Sequence, residues 1–148
     1  MKADEFERRL RALALREGMT FATLIGLDPE DRAVLQATIL AGFAGDLAYG
    51  ERQVNERLKA WLAGVGSMLE TDHVTLRRLL IDTQILRRTT DCAQYRVAPE
   101  ALARVRPELL ALDAEGISRD ARREDAERRS ARKAAWQARA GAGKAETA

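Results

Sequence analysis

The stretch that decides the fold is residues 47–97, LAYGERQVNERLKAWLAGVGSMLETDHVTLRRLLIDTQILRRTTDCAQYRV. Apolar side chains recur at helical spacing over residues 51–62, and two glycines follow, so a helix is expected there. Thr71 or Asp72 can cap another helix, which is expected to run through Gln84. Two helices joined by a short loop predict a helix-turn-helix.

The end of the same stretch predicts a pair of strands. Residues 85–89 and 94–97 are rich in β-forming side chains, and Thr90-Asp91-Cys92-Ala93 forms the turn between them. The loop between the helices carries Val65, Met68 and Leu69, which we expect to fold back onto the core. The predicted fold is therefore mainly α, a winged helix-turn-helix core of three helices plus a two-stranded β wing, with helical extensions at both ends.

The first of the three core helices lies upstream of this stretch. Asp28 is expected to be its N-cap, Pro29 suits the first helical position, and Asp31 adds a favourable negative charge. The helix is predicted to run to about Phe43, because Gly42 and the residues after it interrupt the pattern.

The N-terminal residues predict a short amphipathic helix over residues 4–17, with Asp4 as its cap and Gly18 as its stop. Residues 19–27 are apolar and can be a strand or an extended linker. The helix has one apolar stripe, made of Phe6, Leu10, Leu13 and Ala14.

The C-terminal third is helical by its pattern. Pro99 opens it, and Pro107 divides its first part into two short pieces. Residues 118–140 alternate in charge with almost no apolar stripe, which predicts a solvated helix, and the residues beyond it are predicted to be disordered. The chain is thus divided into an N-terminal helix and linker (1–27), a winged helix-turn-helix domain (28–98), and a C-terminal helical extension with a disordered end (99–148).

Composition favours a cytoplasmic protein. The 148 residues include one cysteine, so no internal disulfide can form, which is typical of a reducing compartment. There is no apolar run of about 18 residues and no signal-peptide pattern at the charged N-terminus, so no membrane partner is expected. The formal net charge is +2, although the pI is near 9.0, and the total alone does not indicate a polyanionic partner.

The central stretch resembles a bacterial family known as domain of unknown function 2087. The resemblance covers roughly residues 28–97. The matching residues are Tyr49-x-Glu51-x-x-Val54-Asn55, Leu58, Asp72-His73-Val74-x-Leu76-Arg77-Arg78-x-Leu80-x-Asp82, Leu86-x-Arg88 and Tyr95.

The resemblance implies a small winged helix of the kind found in bacterial transcriptional regulators, some of them fused to another DNA-binding domain. The family brings no established activity with it. This sequence departs from the family pattern at two places, since Gln84 stands where members usually have glycine and the turn Asp91-Cys92-Ala93 lacks the usual glycine.

A winged helix would place its third helix in the major groove of DNA and its wing against phosphate or the minor groove. Arginines and a threonine on these elements form the predicted DNA-binding set, with Arg77 as the candidate for a base edge. The set is Thr75, Arg77, Arg78, Arg87, Arg88 and Arg96.

A purely structural interpretation of these arginines competes with DNA binding. Arg78 and Asp82 are four residues apart and can pair on one helix face, and Arg88 can pair with Glu51 or Asp82. Residues 28–98 hold nine Lys/Arg and ten Asp/Glu, a net charge of −1, whereas a phosphate-binding domain normally has a basic excess.

The C-terminal segment offers a second basic element, with Trp136 available for stacking on bases. The alternative is a merely soluble helix. Its basic residues are Arg119, Arg122, Arg123, Arg128, Arg129, Arg132, Lys133 and Arg139.

The sequence predicts no enzyme activity, no cofactor and no metal site. His73 and Cys92 are the chain's only histidine and cysteine, and two residues on separate elements cannot supply the four ligands typical of zinc. No phosphate-binding glycine loop and no nucleophile with an adjacent base is found in the sequence.

The function predicted is that of a bacterial DNA-binding transcriptional regulator. The alternative is a non-enzymatic winged-helix module that binds another protein. The N-terminal stripe and residues 102–112 can either bury each other across a two-fold axis, giving a homodimer, or fold back within one chain.

Overall fold

The structure is a computed structural model that describes the backbone of residues 1–147 and the side chains of residues 1–143. The chain is mainly helical and carries one small antiparallel sheet. Its elements are α1 (Ala3–Ala14), α2 (Phe21–Ile25), α3 (Pro29–Leu40), β1 (Tyr49–Gly50), α4 (Glu51–Ala63), a 3₁₀ helix (Val65–Met68), α5 (His73–Asp82), β2 (Leu86–Arg88), β3 (Gln94–Val97), α6 (Pro99–Ala103), α7 (Pro107–Leu110) and α8 (Ala114–Thr147).

The sheet has three strands in the order β1-β3-β2, not the two that the sequence predicts. β2 and β3 form the expected hairpin, in which Leu86 lies opposite Val97. The additional strand, β1, pairs Tyr49 with Tyr95 of β3. A two-residue strand is too short to produce a recognisable alternating pattern, so its pairing depends on contacts that are distant in sequence.

The N-caps of α3 and α5 confirm the sequence prediction. The Asp28 carboxylate accepts a hydrogen bond from the Glu30 backbone N–H at 2.8 Å, and Pro29 occupies the first helical position. The Asp72 carboxylate accepts one from the Thr75 N–H at 2.7 Å. Because these bonds satisfy donors that a helix leaves free at its N-terminus, short polar signals suffice to fix where α3 and α5 begin.

The N-terminal prediction is wrong in its details. Lys2, not Asp4, is the N-cap of α1, and the helix ends at Ala14, before the expected stop at Gly18. The segment expected as strand or linker contains the helix α2, which Thr20 caps through its side chain. Met19 alone forms an isolated parallel bridge, with Leu69.

The C-terminal third is confirmed in its first part and corrected in its second. Pro99 and Pro107 each begin a short helix, as expected. α8 is one helix of 34 residues, about 51 Å long, and it starts earlier than predicted. The predicted disorder beyond residue 140 is not found, since the backbone is helical through Thr147; residue 148 lies outside the described part.

Two hydrophobic clusters stabilise the fold. The first cluster packs the sheet against α3, α4 and α5, and its fully buried members include Leu58, Leu76, Leu80 and Leu86. The second cluster joins Phe6, Leu10 and Leu13 of α1 to α2, α3, α7 and the 3₁₀ helix. Val65, Met68 and Leu69 belong to this cluster, so the predicted fold-back of the loop is confirmed.

The N-terminal stripe is thus buried within one chain. Phe6, Leu10 and Leu13 are at most 2% exposed, against α3, α7, α8 and the 3₁₀ helix. Of the two arrangements that the sequence left open, the structure has the intramolecular one, and the stripe is not available to a second copy.

Candidate nucleic-acid interface

The candidate interface is built on the exposed side of α5. The buried Leu76 and Leu80 fix one side of this helix against the first cluster, and the Asp72 cap fixes its start. Hydrogen bonds from the Thr75 backbone and hydroxyl lower the pKa of Asp72, which keeps the cap charged. Val74, Thr75 and Arg78 are left exposed.

Three of the six predicted site residues meet in one place. Arg77, Arg78 and Arg88 line a hollow of about 350 Å³ between α5 and β2, together with Val74, Ile81 and Asp82. We call it the α5–β2 hollow. It juxtaposes arginines from the helix and from the strand hairpin, as the sequence predicts.

Arg78 is the open arginine of the hollow. Its side chain is exposed, and within the described part of the chain it has no ion pair or hydrogen-bond partner. The expected pairing with Asp82 on the same helix face is therefore absent there. Its guanidinium is free to meet an external anion.

Arg77 is instead held between two helices. Its Nη1 donates a short hydrogen bond to the Asn55 side-chain oxygen, its Nη2 lies 3.1 Å from a Glu51 carboxylate oxygen, and the side chain is only 14% exposed. Arg77 would have to leave both α4 partners to reach a base edge, whereas Arg78 has no such partners to leave within the described part of the chain.

Arg88 also lacks the partners that the sequence suggested. Neither Glu51 nor Asp82 forms an ion pair with it in the described part of the chain; its guanidinium carbon lies 5.8 Å from the centre of the Tyr95 ring. A cation–π contact at an exposed site is weak, about 0.5–1 kcal/mol. Arg88 can therefore turn toward an anion at little cost.

Arg87 and Arg96 do not join the hollow. They lie opposite each other across β2 and β3, on the sheet face away from Leu86 and Val97. Arg87 pairs with Glu100 at 2.7 Å, and Arg96 donates to the Asp46 carbonyl oxygen at 3.4 Å. These two predicted site residues thus contact the segments that flank the sheet and lie outside the hollow.

The backbone is left-handed at both places where this sequence lacks a glycine that is usual in the family it resembles. Gln84 has φ 60° and Cys92 has φ 59°. Gln84 follows the end of α5, where its N–H donates to the Ile81 carbonyl oxygen and the Ile85 N–H donates to that of Leu80. This pattern is the Schellman ending of a helix, which glycine adopts most easily. The geometry persists here without glycine, at a steric cost.

An aspartate supports the hairpin turn. The Asp91 carboxylate accepts hydrogen bonds from the Thr89 hydroxyl and the Ala93 N–H, which lower the pKa of Asp91. These bonds hold the exposed Cys92 in its left-handed conformation. The turn is thus preserved by side-chain hydrogen bonds in place of a glycine.

The basic residues of α8 divide into two groups. Arg122 is not free, because its guanidinium donates to the carbonyl oxygens of Ala14, Gly64 and Val65 at 3.0–3.2 Å, and burial lowers its pKa. Its partners are 57–108 residues away, so no local pattern signals this role. It fixes α8 to the ends of α1 and α4, where a cation is favoured.

From Ala126 to Gly143, the residues of α8 are exposed except for the half-buried Ala140. We call residues 128–143 the cationic arm, because they hold five Lys/Arg and no acidic residue. Trp136 is 65% exposed on this arm. Arg129 pairs with Asp125 at 2.9 Å, and Glu124 pairs with Arg11 of α1.

Comparison with known proteins covers the central part of the chain. Residues 28–97 match the family described as "Uncharacterized protein conserved in bacteria (DUF2087)". The resemblance drawn from the sequence is confirmed for this segment, which runs from the start of α3 to the end of β3. No curated protein and no solved structure matches the chain. Within the described residues, no helix is both long and apolar enough to cross a membrane.

Proposed function

We propose that the chain is a bacterial DNA-binding regulator whose segment α3–β3 is a winged helix-turn-helix. The order helix, strand, helix, helix, strand, strand with a β1-β3-β2 sheet supports this assignment, because it is the order of winged helices. The observation that carries the proposal is the α5–β2 hollow, where, among the described residues, Arg78 and Arg88 form no ion pair on the two elements that such a domain presents to DNA.

Charge limits how this domain can hold DNA. Residues 28–98 have a net charge of −1, and two open arginines neutralise few phosphates. The cationic arm supplies additional positive charge on the same chain. We therefore propose that residues of the hollow contact DNA in its groove. The arm would contact phosphates without sequence specificity.

A second candidate function is a protein-interaction module. Val74, which lines the hollow, is 43% exposed, and Arg77 pairs with Glu51. An apolar side chain with few free charges around it favours a protein surface over phosphates as the partner. This candidate becomes the better one if DNA does not bind.

Fluorescence anisotropy with random duplex DNA, titrated with salt, tests the hollow. We expect Arg78→Ala/Arg88→Ala to weaken binding and to reduce the magnitude of the salt slope by about 2, since each phosphate contact contributes about 0.9. The matched control is Arg87→Ala/Arg96→Ala, which removes two arginines from the other face of the same sheet and should change binding much less.

The arm is tested by Arg128→Gln/Arg132→Gln/Lys133→Gln. Substitution is preferable to truncation, because a cut near residue 117 would also remove the buried Ser118 and Ala121. Binding lost in this variant alone would assign DNA contact to the arm and contradict the role of the hollow. Absence of binding by the unaltered chain at low salt would overturn the proposal and favour the protein-interaction module.

A further inference from the structure

An apolar cavity of about 210 Å³ lies between the two hydrophobic clusters. Side chains of α2, α3, α4 and α5 line it, among them Leu24, Leu35, Trp61 and Leu76. Ile25, at 50% exposure, also lines it and is one of the few large apolar residues that the fold leaves open. The cavity is separate from the α5–β2 hollow, with which it shares no lining residue.

One charged residue, Arg32 of α3, is among the residues that line this cavity. Its Nε is buried and has no hydrogen-bond partner, and within the described chain its guanidinium forms no ion pair. A buried donor without a partner is destabilising, so most such groups are satisfied by another group. Among the residues whose side chains are described, no acidic one lines the cavity to supply that partner.

We propose that this cavity binds a small molecule with an apolar body and a single carboxylate, which pairs with Arg32. A guanidinium binds a carboxylate through parallel hydrogen bonds, and the Arg32 guanidinium has no ion-pair partner within the described chain. A cavity of about 150 Å³ holds benzene, so the body that fits here is somewhat larger, such as a chain of about eight carbons. Medium-chain carboxylates therefore suit both the volume and the charge.

This inference is independent of DNA binding, although residues of α5 line both the cavity and the α5–β2 hollow. Leu76, Leu79 and Leu80 of α5 line the cavity, together with Thr83 just after the helix. A bound chain would contact the side of α5 opposite to the exposed Arg78, and would fill a gap between the first and second clusters. The ligand is thus expected to stabilise the folded chain by mass action.

Trp61 provides a direct reporter. It lines the cavity, and its indole N–H donates to the Thr38 hydroxyl at 2.9 Å, which fixes the ring. The other tryptophan, Trp136, is exposed on the cationic arm. Binding is therefore measured in the full chain carrying Trp136→Phe, so that fluorescence comes from Trp61 alone.

The probe is octanoate, with octanol as its uncharged counterpart. We expect saturable quenching or shift of the Trp61 emission by octanoate, and at least about tenfold weaker binding of octanol. Arg32→Gln should lower octanoate affinity by a similar factor while leaving octanol affinity unchanged. The matched control is Arg8→Gln, which removes an exposed arginine outside the cavity and should have no effect.

A second variant keeps the test decisive if Arg32→Gln fails to fold. Leu79→Phe enlarges a half-buried lining residue and should weaken both octanoate and octanol, with the arginine still in place. No saturable response to octanoate at millimolar concentration would overturn the proposal. Equal affinity for octanoate and octanol would overturn the assigned role of Arg32.

Sedimentation of the ligand-free protein tests whether a second copy of the chain, instead of a small carboxylate, occupies the cavity. If a second copy of the chain covered the cavity, the protein would sediment as a dimer that Leu79→Phe weakens and octanoate does not displace. That result would also overturn the proposal. A chain that sediments as a monomer and binds octanoate would support it.

Discussion

The two hydrophobic clusters differ in where their residues lie along the chain. The first cluster comes from one continuous region, between Ile39 and Ala101. The second cluster combines residues of α1, near the N-terminus, with residues of α3, the 3₁₀ helix and Leu109 in the C-terminal third. The family match covers most of the first cluster, whereas the second depends on segments outside it. α1 and α7 are therefore structural parts of the fold, although both lie outside the matched segment.

The largest expected effect comes from breaking the second cluster at Leu10, which is fully buried. A carboxylate placed there by Leu10→Asp has no partner, so we expect a loss of about 4 kcal/mol or more in the free energy of unfolding. Urea unfolding measures it. The matched control is Leu47→Asp, since Leu47 is 52% exposed and its change should cost little. A Leu10→Asp protein with unaltered stability would contradict the intramolecular packing of α1.

A smaller effect is expected from Arg122, which ties α8 to this cluster. Arg122→Met keeps much of the side-chain volume but removes a donor from three carbonyl oxygens. The Gly64 oxygen keeps its hydrogen bond from the Ser67 N–H, so a loss of about 2 kcal/mol is expected. The control is the neighbouring Arg123→Met, whose guanidinium pairs with Asp120 on the exposed side and should contribute less than about 1 kcal/mol. Equal losses in the two variants would contradict the special role of Arg122.

A still smaller change in stability is expected at the end of α5, the helix that contributes Leu76 and Leu80 to the first cluster. Gln84→Gly relieves the left-handed backbone and should raise the free energy of unfolding by about 0.5–1 kcal/mol, less than the steric relief because glycine also gives the unfolded chain more freedom. Gln84→Ala is the control, since alanine keeps the strain. A destabilised glycine variant would indicate that the Gln84 side chain contributes more than its backbone strain costs.

The same contrast between clusters explains what the sequence could predict. The caps Asp28 and Asp72, the two prolines and the hairpin turn act over a few residues, and each is found where a local pattern places it. β1 was missed because it consists of two residues whose partner strand lies more than forty positions away. The packing of α1 was left open because an apolar stripe shows that a face is buried but not by what.

The candidate site shows the same division. Arg78 and Arg88 were predicted as parts of one site because their elements follow each other in sequence. In the structure, both residues line the α5–β2 hollow. The partners that hold Arg77 lie 22 and 26 positions away on α4, at a distance that helix spacing does not reveal. The bonds of Arg122 are longer-range still. Sequence thus identified the basic residues, whereas their availability depended on contacts between elements.

The smallest expected effect is the pH dependence of the stability that Asp72 contributes. Asp72 caps α5, a helix of the first cluster. Hydrogen bonds from Thr75 lower the pKa of Asp72 below its ordinary value of 3.8. A carboxylate with a lowered folded pKa stabilises the fold fully above its unfolded pKa, and this contribution is lost as the pH falls through the folded value. The stability that Asp72 adds should therefore be constant at neutral pH and decline below about pH 4.

Asp72→Asn isolates this effect, since asparagine can still accept the Thr75 hydrogen bond but does not titrate. Other carboxylates also titrate in this range, among them Glu5 of α1, whose pKa Arg9 lowers through a side-chain hydrogen bond. The informative quantity is hence the difference in Tm between the two proteins, which should shrink as the pH is lowered from 6 to 3. Parallel curves would show that the charge of Asp72 does not contribute to the cap. In that case the neutral hydrogen bond alone would account for the start of α5.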